Sequence, residues 1–68
     1  MMNYEIRKRA EHVASLVNEM KALAQAGNRK EAERLQLQAL EIRTAAKINW
    51  GADLKEFDAL CKEISAKL

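Results

Sequence analysis

An all-α fold is predicted by three features of this 68-residue chain. It has no proline, it has two glycines in all, and between them apolar residues recur at steps of three and four. That spacing lays a stripe down one side of a helix. Gly27 and Gly51 divide the sequence into helices expected at about 4–26, 29–50 and 54–68, within one domain covering 1–68. The first two should form an antiparallel hairpin, and the third should pack on it in a three-helix arrangement that pairs with a second copy.

In the first segment Ile6, Ala10, Val13, Val17, Met20 and Ala24 make the stripe, with Leu16 and Leu23 on its edge. Asn3 suits the N-cap, and Glu5 falls in the first turn, where the helix dipole favours an acid. Gly27 suits the left-handed position just past a helix end. Asn28 and Glu31 have the N-cap and N3 spacing of a capping box, so the second helix starts where the first stops. With no linker between them, the chain must double back.

The second helix has two apolar sides. Ala32, Leu35, Ala39, Ile42 and Ala46 form one stripe, rich in alanine and suited to close approach of the first helix. At roughly 100° per residue, Leu37, Leu40, Thr44 and Ile48 fall on nearly the opposite side. Gly51 ends this helix, and Asp53 with Glu56 repeats the cap spacing. The third helix carries Leu54, Phe57, Leu60, Cys61, Ile64 and Leu68 on one face, with Asp58, Lys62 and Ala66 away from it. It needs a surface to lie on, and the second stripe of helix 2 is expected to supply it, in the same chain or in a second copy.

The run Gly27-Asn28-Arg29-Lys30-Glu31-Ala32, continued by Gln38-Ala39-Leu40-Glu41-Ile42, resembles the turn and second helix of a tetratricopeptide repeat. That motif follows a Gly-Asp/Asn turn with Glu-Ala and, seven residues on, with Ala-Leu-Glu-Leu. Ala32 and Ala39 fit the family's close helix packing. The sequence departs from the pattern at Met20, where the family has glycine, at Gln36, where it has an aromatic, and at Thr44, where it has proline. The resemblance covers residues 27–42 and implies a protein-binding helical surface.

Composition argues against chemistry. One cysteine and one histidine build neither a disulfide within the chain nor a Cys/His zinc site. Di-iron bundles use Glu-x-x-His on facing helices, whereas Glu11 directly precedes His12, which reads as a boundary residue. Cys61 reads as a small buried hydrophobe. Two glycines so far apart cannot cradle a phosphate. No catalytic, cofactor or metal residue is therefore expected, and no small-molecule substrate.

The start of the chain places Arg7, Lys8 and Arg9 where a signal peptide would carry its apolar core. No apolar run approaches the roughly 20 residues of a membrane span. A cytoplasmic protein without membrane contact is the expectation.

Nucleic-acid binding is the competing expectation. Antiparallel pairing should bring Arg7, Lys8 and Arg9 towards Arg43 and Lys47, a patch that could contact phosphates. Acids are interspersed, however, and the net charge is only +2. A helix-turn-helix centred on Gly51 puts Lys47 where a small residue is usual, and its recognition helix would open with Asp53, Glu56 and Asp58 facing phosphates. A turn centred on Gly27 fails at Leu23 and Glu33. The favoured expectation is a small protein-interaction module, an adaptor or regulator that binds a larger protein or pairs as a homodimer. Leu16, Leu23, Leu37, Leu40 and Ile48 are its expected exposed contacts, with Tyr4 and Trp50 as candidate aromatic anchors, since surplus apolar surface marks interfaces and tryptophan is enriched there. The plainer reading of Trp50, beside Gly51, is a cap on the core between helices 2 and 3.

Overall fold

The computed structural model describes residues 4–68 as three helices, α1 (Tyr4–Gln25), α2 (Arg29–Trp50) and α3 (Leu54–Lys67). Asn3, expected to cap α1, lies outside the described residues. Both glycines take the left-handed backbone, with φ of 82° at Gly27 and 63° at Gly51. At the first turn Asn28 N–H donates to the Leu23 carbonyl at 2.9 Å and Gly27 N–H to that of Ala24 at 3.1 Å. These two bonds make a Schellman ending, which satisfies carbonyls that the helix leaves open. The Asn28 side chain then accepts from Glu31 N–H at 3.4 Å. The reciprocal arm of the capping box is not formed: the Asn28 N–H is already given to Leu23, and the Glu31 carboxylate pairs with Arg34 at 2.8 Å. Asp53 caps α3 more fully, accepting from Lys55 N–H at 2.8 Å and Glu56 N–H at 3.3 Å.

α1 and α2 pack closely as the expected antiparallel hairpin, and α3 packs on α1. The core joins Ile6, Ala10 and Val13 of α1, Ala46 of α2, and Phe57 and Cys61 of α3. Phe57 is its largest wholly enclosed side chain, 1 % exposed. Ala10, Ala14 and Ala46 are sealed completely. Their small side chains let the backbones approach, which is how a chain of this length closes a core at all.

The placement of α3 corrects the expectation that it would cover the second stripe of α2. Three residues, 51–53, join α2 to α3, and Arg43 on the flank of α2 forks onto Asp58 near the start of α3, at 2.8 and 2.9 Å. That pair, together with Trp50 and Ala52 packed against the core, starts α3 on the side where α1 lies. At its other end, the Ser65 hydroxyl donates to the Asn18 side-chain oxygen, and the Asn18 amide donates to the Ser65 carbonyl at 3.4 Å. α3 therefore runs parallel to α1, while α2 and α3 touch little beyond their joined ends.

α1 is thus the central helix, and this overturns the expectation that Leu16 is exposed: it is 7 % exposed. At about 100° per residue, Leu16 and Ala14 lie roughly 160° apart on the helix, yet both are buried. A helix with two neighbours buries a wider arc than its stripe suggests. Leu23 is half-buried rather than exposed, and Ala24, assigned to the stripe, faces solvent.

Candidate protein interface

With α1 on its inner side and α3 on α1, α2 keeps its whole outer side uncovered. Leu37 is 62 % exposed, Leu40 46 % and Ile48 76 %. These residues, with Glu41, Thr44 and Ala45, line a shallow depression of about 390 Å³. Two other large apolar residues among those described are as open, Tyr4 and the C-terminal Leu68. The strip is contiguous because positions 37, 41, 44 and 48 stack over successive turns.

Placement divides the other expected contacts. Tyr4 is exposed, with the Lys8 ammonium 5.1 Å from its ring centre. Trp50 is half-buried and packs against the core; the Arg9 guanidinium lies 5.6 Å from its ring. Trp50 closes the end of the hairpin and does not stand out as an anchor.

Of the candidate bases, Arg7, Lys8, Arg9 and Lys47 are exposed and Arg43 is half-buried. Arg7 pairs with Glu11 at 3.7 Å. Arg9 covers Trp50, Lys8 covers Tyr4, and Arg43 is turned to α3. The Asp58 hydrogen bonds hold the Arg43 guanidinium above its ordinary pKa, against a smaller opposing effect of desolvation. Lys47 is exposed and makes no ion pair among the described residues.

A second concavity, about 540 Å³, opens where α3 leaves the hairpin. Val13, Val17 and Cys61 floor it, and Lys21, Lys62 and Ser65 stand at its rim. Burial pushes the Cys61 thiol up to about 11, helped by the nearby Asp58 carboxylate and opposed by Arg43. A thiol held protonated behaves as packing, not as a nucleophile. His12 is exposed on α1. Among the described residues no three of His, Cys, Asp and Glu converge as a metal site would require. No helix among them is long and apolar enough to cross a membrane.

The residues that reading by periodicity passed over are polar. Asp58 was set apart from the apolar face of α3, yet it orients that helix on the hairpin. Asn18 and Ser65 fix the other end. The signal for the latter pair was a polar residue beside an apolar stripe on each of two helices, Asn18 next to Val17 and Ser65 next to Ile64. Compared with protein-family models, curated proteins and solved structures, the chain matches none of them, and the tetratricopeptide resemblance rests on the residues 27–42 that carry it.

Proposed function

We propose that this chain is a non-enzymatic protein–protein interaction module, which binds a larger protein and uses the outer face of α2 as its association surface. One observation carries the reading: Leu37, Leu40 and Ile48 are left in solvent although none is needed to close the core. Contiguous exposed apolar strips on small proteins mark interaction sites. Within the depression the one charged side chain is Glu41, among Leu37, Leu40, Thr44, Ala45 and Ile48, which suits docking and not chemistry.

Nucleic-acid binding through Arg7, Lys8, Arg9, Arg43 and Lys47 is the weaker reading, since Arg43 is turned to Asp58 and the exposed bases stand among acids such as Glu11.

The test is a paired capture. The wild-type chain and the Leu37→Lys/Ile48→Lys variant serve as baits in extract of the source cells, after circular dichroism shows equal helicity. A larger protein retained in stoichiometric amount by the wild type and lost by the variant is the expected result. Equal retention by both baits, or capture of nothing except copies of the chain itself, overturns it.

A further inference from the structure

The exposed strip has a symmetry that identifies one occupant. Along α2 the outward residues Leu37, Glu41, Thr44 and Ile48 follow one another at steps of four, three and four. The order of steps is the same read from either end, with its midpoint between Ile42 and Arg43. An antiparallel pair of helices related by a two-fold axis matches each residue with the one equally far beyond the midpoint. The strip therefore meets its own reverse in complete layers: Leu37 beside Ile48 of the second copy, Glu41 beside Thr44, and the same two layers repeated by symmetry.

The charge in the strip selects the direction. In a parallel two-fold pair every residue meets itself, so Glu41 would face Glu41, a like-charge contact that costs energy as it is desolvated. Reversal places Glu41 beside Thr44, whose hydroxyl can donate to the carboxylate. It also opposes the two helix dipoles, which is the favourable arrangement. Leu40, 46 % exposed, flanks the central polar layers and shields them from water.

We infer that the outer face of α2 is a self-pairing surface, joining two copies antiparallel in the register that sets Leu37 against Ile48. This rests only on the reading of that face as an interface, and names its occupant in the free chain as a second copy, which a larger protein would have to displace. The strip spans just over three turns of helix, which is small for a specific interface, so the dissociation constant should fall at roughly 10–100 µM.

Two measurements on the purified chain test it. In sedimentation equilibrium from about 5 µM to 1 mM, a range chosen to bracket that constant, the mass should rise from 7.7 kDa towards twice that value. The Leu37→Lys/Ile48→Lys variant should stay at the lower mass across the range. Leu37→Cys and Ile48→Cys variants, mixed at equal concentration under oxidised glutathione, should form the mixed disulfide dimer in at least about fivefold excess over either like-with-like product; this bias follows from the layer pairing. The unmodified chain, with Cys61 enclosed, is the control and should form none. A wild-type mass fixed at 7.7 kDa up to the highest concentration overturns self-pairing, and so do predominant like-with-like disulfides. Neither outcome touches the paired capture, which asks about a larger protein, so the two readings fail separately.

Discussion

The two sides of α2 are built to opposite rules. Its inner side meets α1 through Ala32, Ala39 and Ala46, one every seven residues, with Leu35 as the buried large side chain. Its outer side carries Leu37, Leu40 and Ile48 into solvent. A helix stabilised by a single neighbour would place its large side chains against that neighbour, since each fully buried leucine or isoleucine contributes about 1.5–3 kcal/mol. Here alanine provides closeness inside, and the larger transfer energy is left unrealised outside. The contrast separates what holds the chain together from what the chain offers to others. Substitutions can sharpen or dissolve that division.

The largest effect is expected at the inner core. Phe57→Ala empties the one large, wholly enclosed site and should cost about 3–5 kcal/mol. Against a total stability of roughly 3–10 kcal/mol for a chain of this size, that loss should abolish or nearly abolish the cooperative urea transition followed by circular dichroism. Ala46→Leu probes the inner side of α2 itself. Overpacking a sealed contact should cost about 1–3 kcal/mol, whereas Ile48→Ala, two residues away on the other side, should change monomer stability by less than about 0.5 kcal/mol. Equal urea midpoints for these two variants would dissolve the distinction between the sides.

A smaller effect follows from Cys61. Its folded-state pKa, raised by burial to about 11 from an ordinary value of 9.0, means the unfolded chain releases the thiol proton first as pH rises. Stability from this group is complete below pH 9 and is lost between about 9 and 11, with roughly 1 kcal/mol gone by pH 10. Urea midpoints at pH 7 and pH 10 should differ more for the wild type than for Cys61→Ala, which lacks the titration. An identical alkaline loss in both would show that Cys61 is not held in a dry site.

Most of the helical layout could be read from local rules. Gly27 and Gly51 at left-handed turns, Asn28 and Asp53 as caps, and the two opposed stripes of α2 are each set by residues within one or two turns, where backbone chemistry decides. That Leu37 and Ile48 lie opposite the stripe covered by α1 was legible for the same reason, although their exposure depended on where α3 went. The placement of α3 was not legible. It depends on Arg43 reaching Asp58 across the joint and on Asn18 meeting Ser65, contacts that no periodicity encodes. Leu16 was misplaced by the same gap, because a stripe gives the direction of one neighbour and α1 has two. Arg43 looked available as a contact residue until the fold turned it to α3, whereas Trp50 took the core-capping place that its position beside Gly51 suggested.

The Asn18–Ser65 contact joins residues 47 apart in the chain, and that separation has a kinetic meaning. Closing so long a loop from an unfolded coil costs roughly 3 kcal/mol of entropy. Once the hairpin has formed, Trp50 already stands beside Arg9, and only the link at residues 51–53 separates α3 from its seat. The path from Asn18 to Ser65 then runs through rigid helix instead of loose chain. The tight turn at Gly27 and Asn28 therefore meets most of the closure cost for α3 as well as for its own hairpin. It makes a three-helix fold topologically local, the class of fold that assembles fast and spends little time with its apolar faces unguarded.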